Sequence, residues 1–299
     1  MLLALGCQPR RTGDKLQIAV SILPQKYFVE KLAGDLVRVH VLVPPGSSPE
    51  LYALMPSQMK ELSASTAWLR IGKIGFEESW AGKIRAGKPG LQIFDTSVQA
   101  DWIAGEEEHN SRVHRHGTDP HIWLSPAEVR KIVTETHRAL LQLLPARKEM
   151  LSRNYTDFIR EIDALDRELT TLFAPLKNRS FLIFHPALSY LARDYQLEQL
   201  ALETDGKEPS ARHMQQLVRQ ARARHISVVL IQKEFDTENA RQLAREIGGE
   251  VVQIDPLSEN WTEELRKIAR KIAGAQENQE AELKKQTHDK THRNTRTQR

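Results

Sequence analysis

The segment 117–126, GTDPHIWLSP, separates two parts of the chain whose hydrophobic patterns differ. Before it, short apolar runs alternate with stretches in which apolar residues recur at helical spacing, and glycine or proline divides them. Strands that alternate with helices predict a parallel sheet covered by helices. We therefore expect an N-terminal α/β lobe over residues 15–145.

The part of the chain beyond Pro126 begins with long helices and then resumes the alternation. A second helix is predicted from Ala146 to Phe173, about 40 Å long at 1.5 Å per residue. Strands and helices then alternate through residues 177–275. The predicted fold class is α/β: two similar lobes with parallel sheets, joined by a long spanning helix over 146–176, with a ligand cleft between the lobes.

Both ends of the chain differ from its body. The run MLLALGC ends at Cys7, the only cysteine, and resembles the end of a bacterial lipoprotein signal in which that cysteine carries lipid. A basic segment and most of the apolar segment are missing, so we interpret residues 1–14 as a truncated leader, with a chance cysteine as the alternative. Residues 276–299 lack hydrophobic periodicity, which predicts a disordered polar tail.

The overall composition limits the function. The 299 residues carry 43 basic and 39 acidic side chains, a formal charge of +4. No apolar run approaches the roughly 20 residues that span a bilayer, so the body of the chain is not expected to cross a membrane. Part of the small basic excess lies in the tail, and no nucleic-acid partner is predicted. A single cysteine excludes a disulfide within the chain and any cysteine-based metal site.

Four polar side chains follow predicted strands, two in each lobe: Glu50, His121, His185 and Asp255. Ligands of open α/β sheets collect at the carboxyl ends of strands, so these residues could line one cleft. Two imidazoles and two carboxylates suit a divalent transition ion such as zinc or manganese. Each residue also has a purely structural interpretation, since a histidine can pack in a core or cap a helix and an aspartate can form a turn.

The same residue types also occur in metal-dependent hydrolases, which is the main alternative from another class. The chain has no HExxH motif, and no carboxylate is evidently reserved as a general base. A site in which the protein supplies all four ligands leaves no position for a reactive water. We therefore predict no catalytic residue and no enzyme activity.

Four motifs strengthen the metal-site hypothesis. In order they are VPPGSSPELYALMPSQMKEL (43–62), DPHIWLSP (119–126), FHPALSYLARDYQL (184–197) and IDPL (254–257). With them, residues 16–274 resemble the zinc- and manganese-binding substrate-binding proteins of bacterial ABC importers, the ZnuA-like and TroA-like proteins. The resemblance implies that Glu50, His121, His185 and Asp255 are the metal ligands.

The resemblance also implies a function. The chain would be an extracytoplasmic solute-binding protein, periplasmic or lipid-anchored, that captures Zn(II), or alternatively Mn(II), and delivers it to a membrane permease as a monomer. A third alternative is a family member with an altered metal site that acts as an adhesin or accessory protein.

Two positions depart from the family pattern. Glu50 stands where the family usually has histidine, and Gln232 stands where relatives often carry an acidic residue. A carboxylate is a competent ligand for either metal, so binding can persist in a harder and more negative site. The alternatives are a weakened or lost site, or a different substrate.

The stretch EEEHNSRVHRH (106–116) lies where zinc-specific relatives carry an acidic, histidine-rich loop. Neutral imidazoles of His109, His114 and His116 on a mobile loop could bind zinc weakly and raise its concentration at the cleft. A polar surface loop without such a role is the alternative. This stretch is the main reason for preferring zinc over manganese.

Overall fold

The structure is a computed structural model that describes residues 15–104, 107–109, 112–114, 117–203, 209–235 and 238–274. Cys7, the predicted leader and the predicted tail lie outside the described residues, so the expectations for them stay predictions. Within the described part, no helix combines the length and the apolar character needed to cross a membrane.

The first lobe is built on a four-stranded parallel sheet. Its elements are β1 (Leu16–Val20), α1 (Leu23–Ala33), β2 (Val37–Val41), α2 (Pro56–Ala64), β3 (Ala67–Arg70), α3 (Gly75–Gly87) and β4 (Gln92–Asp95). The strand order is β2-β1-β3-β4, and every neighbouring pair is parallel. Sequence analysis did not identify α3, because few of its residues are apolar and it contains Gly82 within its length.

A short hairpin and two long helices follow. Strands β5 (Glu107–His109) and β6 (Arg112–His114) pair antiparallel within the stretch that was expected to be a loop. Helix α4 spans Pro126–Leu143, and its N-cap residue Ser125 accepts a hydrogen bond from the Glu128 backbone N–H. Helix α5 spans Lys148–Phe173, 26 residues and about 39 Å.

The second lobe repeats the architecture of the first. Its elements are β7 (Ser180–Ile183), α6 (Ser189–Asp194), β8 (Glu198–Ala201), α7 (Ala211–Ala223), β9 (Val228–Gln232), α8 (Glu238–Ile247), β10 (Glu250–Ile254) and a final helix α9 over 261–274. The parallel order is β10-β9-β7-β8. Numbered within each lobe, both sheets have the order 2-1-3-4, which confirms the prediction of two similar α/β lobes.

This strand order determines where a ligand can bind. In each sheet the first and third strands are neighbours, and the connections that follow them run to opposite sides of the sheet. This leaves a crevice at the carboxyl ends of these two strands. His185 lies two residues beyond β7, beside the end of β9. The fold thus brings one predicted ligand to the crevice of the second sheet.

Helix α5 contacts both lobes. Near its start, the Asn154 side chain donates a hydrogen bond of 2.8 Å to the carbonyl of Leu32 in α1. Farther along, the Tyr195 hydroxyl donates to Asp166 at 2.7 Å, and Arg266 of α9 forms an ion pair with Glu168 at 2.7 Å. One cluster of buried apolar side chains extends from the first sheet through α4 and α5 into the second lobe.

An aromatic cluster joins three helices at the centre of this core. The Phe158 ring of α5 lies 5.7 Å from the Tyr27 ring and 6.1 Å from the Phe28 ring, both on α1. The Phe28 ring lies in turn 5.4 Å from the Trp261 ring of α9. Phe158 is fully buried, so its removal leaves a cavity that the surrounding helices cannot easily fill.

We expect Phe158→Ala to lower the free energy of unfolding by about 3–5 kcal/mol, because the aromatic contacts are lost and a cavity remains. Urea denaturation measures this change. Arg160→Ala on the same helix is the control: its side chain is 74% exposed, and the change should stay within about 0.5 kcal/mol. Similar losses for the two variants would contradict a central role for Phe158.

Candidate metal centre

Three of the four predicted ligands meet in the cleft. Glu50, His121 and His185 each offer one donor atom, and these atoms lie within 4.8 Å of one another. The Oε1 atom of Glu50 is 3.5 Å from Nε2 of His121 and 3.2 Å from Nε2 of His185. The two imidazole rings are 5.2 Å apart and nearly edge-on, so both Nε2 atoms face the same small space.

A carboxylate behind its ring orients His121. Nδ1 of His121 lies 2.8 Å from Oδ1 of Asp119, and the same oxygen accepts the His121 backbone N–H at 2.9 Å. When Nδ1 donates to a carboxylate, Nε2 is the nitrogen left to bind a metal. Asp119 therefore selects the tautomer that the site requires.

The loop that carries His121 is attached to the second lobe. Tyr190 of α6 donates a hydrogen bond from its hydroxyl to the Asp119 carbonyl at 2.8 Å and accepts one from the Ile103 N–H at 3.0 Å. Trp123 donates from its indole N–H to the Pro256 carbonyl at 3.0 Å. These bonds fix the position of His121, which belongs to the first lobe, relative to the second lobe.

His185 is oriented in the same manner from the other lobe. Its Nδ1 lies 2.9 Å from Oε2 of the buried Glu203, which follows β8. Gln232 donates from its amide to the His185 carbonyl at 2.7 Å, and the Phe235 ring stacks on the imidazole at 5.0 Å. Both histidines thus have the carboxylate–imidazole arrangement that is typical of metal ligands.

The charges around His185 favour a proton on its ring. Burial lowers the pKa of His185, but its hydrogen bonds to the Glu203 and Glu50 carboxylates outweigh burial and raise the pKa to about 9. Burial raises the pKa of Glu50, and the hydrogen bond from His185 with the nearby imidazole charges brings it below its usual value. At neutral pH an imidazolium therefore bridges two carboxylates.

The position of Glu50 depends on a glycine. Glu50 lies in the loop between β2 and α2, against the first turn of α3, where the Phe76 N–H donates to the Pro49 carbonyl at 3.4 Å. A Cβ atom built on Gly75 would lie 2.2 Å from the Glu50 carbonyl oxygen. Only glycine at position 75 lets the Glu50 loop approach this closely.

The donor atoms line a small cavity of about 30 Å³, room for about two water-sized occupants or one metal ion. Among the described residues, its lining also includes Glu234, Gln232 and Pro256. The predicted fourth ligand, Asp255, is outside the 4.8 Å group, and its Oδ2 lies 2.7 Å from Nζ of Lys233.

The predicted zinc-collecting histidines are only partly described. The backbones of His109 and His114 lie in β5 and β6. His116 lies outside the described residues. The role of the histidine-rich stretch stays a prediction.

Sequence analysis missed three acidic residues around the site: Asp119, Glu203 and Glu234. Glu203 and Glu234 each come two residues after a strand, β8 and β9. The strand-end rule that identified His185 would have found both if it had been applied to every strand. Asp119 lies within the DPHIWLSP motif, two residues before His121.

The fold and the donor atoms define a class of protein: a two-lobed metal-binding protein whose site lies between two parallel-sheet lobes. The chain belongs to the family described as zinc-uptake complex component A, periplasmic, whose model matches residues 18–275. The resemblance stated from the four motifs is thereby confirmed.

Individual relatives agree with this family. The chain is 28% identical over 297 residues to the zinc-binding lipoprotein AdcA of Streptococcus pneumoniae serotype 4, covering 96% of this chain and 59% of that protein. It is 26% identical over 255 residues to the high-affinity zinc uptake system protein ZnuA of Bacillus subtilis, covering 82% and 79%. A crystal structure of ZnuA aligns with a TM-score of 0.82 at 37% identity, covering 88% of this chain and 100% of that one.

We expect Gly75→Ala to weaken Zn(II) binding about tenfold or more, because the new Cβ displaces the backbone of Glu50. Mutations of residues that hold metal ligands in place typically reduce metal affinity by this much. Competition titration with a zinc chelator measures the affinity. Gly82→Ala on the same helix is the matched control, since nothing lies within 4 Å of its added Cβ. Unchanged affinity in Gly75→Ala would contradict the link between Gly75 and Glu50.

Proposed function

We propose that this protein captures Zn(II) between its lobes and presents it to the membrane permease of an ABC importer, without catalysing a reaction. The observation that carries the proposal is the group of Glu50, His121 and His185, with a carboxylate behind each imidazole. Such a group is costly to maintain without a cation, because it concentrates polar and acidic side chains in a mostly buried space.

The family and its named relatives support zinc as the cargo. The chain spans 59% of the length of the pneumococcal lipoprotein, so the activity, substrate and partners of that whole protein are proposals here. Imidazole ligands suit zinc, and the intrinsic affinity order places Zn(II) above Mn(II) for a given set of ligands. Mn(II) is the alternative cargo.

The location and the mechanics follow from the same proposal. We propose an extracytoplasmic position, periplasmic or at the outer face of the membrane, with Cys7 as a lipid anchor and the chain as a monomer. Residues 15–145 and 177–275 would act as two lobes, with 146–176 as a stiff connection. Contacts of α5 with both lobes would limit closure, so release would depend on small lobe shifts or on loops at the cleft.

The direct test is metal content and affinity. We expect the purified protein to bind one Zn(II) and to prefer it over Mn(II) in competition titration. His121→Ala and His185→Ala should each weaken zinc binding by about 100-fold or more. Removing a ligand is expected to cost at least as much affinity as removing the carboxylate that orients it. His40→Ala is the control, because His40 lies on β2 and bonds Gln17 rather than the site.

Two results would contradict the proposal: a protein that takes up neither ion, or histidine variants that bind zinc as well as the unaltered chain. Glu50→His, which restores the usual family residue, should retain zinc binding.

Zinc affinity should rise with pH. The His185 pKa of about 9 means that Nε2 carries a proton at neutral pH, and a metal must displace it. We expect the apparent affinity to increase about tenfold per pH unit between about 6.5 and 8.5, with about one proton released per ion. Calorimetry in buffers of different ionisation enthalpy counts the proton. A flat profile over this range would contradict the assignment of His185.

A further inference from the structure

We propose that Glu234, rather than Asp255, supplies the fourth protein ligand of the bound metal. Lys233 keeps the Asp255 carboxylate away from the metal by forming an ion pair with it. This inference rests on the proposed function, and it names a ligand that neither the motifs nor the family pattern indicates.

The lining of the cavity leaves few candidates for a fourth donor. Among its described residues, the side chains with a possible donor oxygen besides Glu50 are Ser48, Gln232 and Glu234. Both ends of the Gln232 amide already bond the backbone of His185. The amide nitrogen donates to the His185 carbonyl at 2.7 Å, and the amide oxygen accepts the His185 N–H at 3.4 Å. Of the two that remain, a carboxylate is the stronger zinc ligand.

Glu234 lines the cavity, and its carboxylate, like that of Asp255, lies outside the 4.8 Å donor group, so it has to turn inward to bind the ion. It lies in the turn directly after β9, between Lys233 and Phe235, and Phe235 stacks on the His185 ring. Its carboxylate accepts a hydrogen bond from its own backbone N–H. This bond lies within one residue, so exchanging it for a cation breaks no hydrogen bond between strands.

Asp255 is engaged elsewhere. Strands β9 and β10 pair in register with Gln232 opposite Ile254, so Lys233 and Asp255 are the next residues on adjacent strands. Their side chains form an ion pair of 2.7 Å, and Asp255 is not among the described residues that line the cavity. The Asp255 backbone N–H also donates to Glu264 at 2.9 Å, which holds this turn to α9.

The charges favour the same assignment. With Glu234 as the ligand, the Lys233–Asp255 ion pair beside the site stays intact. If Asp255 moved into the site, the ammonium group of Lys233 would lose its partner next to a cation. The Lys233 side chain is 51% exposed, so water screens this repulsion, and the main cost is the lost ion pair.

The test compares two matched variants that preserve side-chain size, Glu234→Gln and Asp255→Asn, by zinc competition titration on the full chain. We expect Glu234→Gln to weaken zinc binding about tenfold or more and Asp255→Asn to change it less than about threefold. Adding Lys233→Gln to Glu234→Gln should restore part of the affinity, because Asp255 is then free to bind. Thermal unfolding of the metal-free variants checks that each one folds.

The opposite order of effects, with Asp255→Asn costly and Glu234→Gln neutral, would overturn the inference. So would two neutral variants, which would mean that only three protein ligands bind the ion, and a double variant without recovery would remove the role of Lys233. Failure of the proposed function looks different: the unaltered chain binds no zinc, or His121→Ala leaves its affinity unchanged.

Discussion

Two hydrogen bonds between imidazole Nδ1 atoms and carboxylates determine the geometry of the whole site. His121 bonds Asp119, His185 bonds Glu203, and the two rings are thereby turned so that both Nε2 atoms face Glu50. Without these carboxylates each ring could flip and present the other nitrogen. A metal site needs its ligands oriented before the ion arrives, because ordering them on binding reduces affinity.

The two bonds come from different lobes, so the site also depends on how the lobes are held together. Tyr190 and Trp123 bond backbone carbonyls of the opposite lobe, and the Trp261 indole donates to the Trp123 carbonyl at 2.6 Å. The apolar core continues across the same boundary. A shared core of this kind favours small adjustments over a wide hinge, because packed interiors do not deform continuously.

Much of this arrangement could be predicted from the sequence. Hydrophobic alternation indicated the parallel sheets and the long α5, and strand ends with the family motifs indicated Glu50, His121 and His185. Helix α3 was not found, since its buried residues Phe76, Glu77 and Ile84 make only a weak apolar stripe. Its glycine at position 75, which the Glu50 loop requires, is visible only when the loop and helix are placed together.

The partners of the ligands were harder to predict because they depend on strand register. Glu203 meets His185 because β8 and β7 are neighbours, and Lys233 meets Asp255 because β9 and β10 pair in register. A linear sequence contains no strand order. The four-ligand set expected from the motifs included Asp255, and the sequence alone does not show that Asp255 lies beside Lys233 across the sheet.

Glu50 changes the role of the proton in this site. With a histidine at position 50, only Glu203 of the two carboxylates that contact His185 would remain to stabilise its imidazolium. With Glu50 there, the imidazolium of His185 lies between Glu50 and Glu203 and neutralises part of the negative charge that a metal would otherwise be needed to balance. The proton thus offsets the repulsion between the two carboxylates that flank the ring. Capture then becomes an exchange of one proton for a divalent ion. In the proposed site, the departure from the family residue would therefore strengthen the dependence of metal binding on pH.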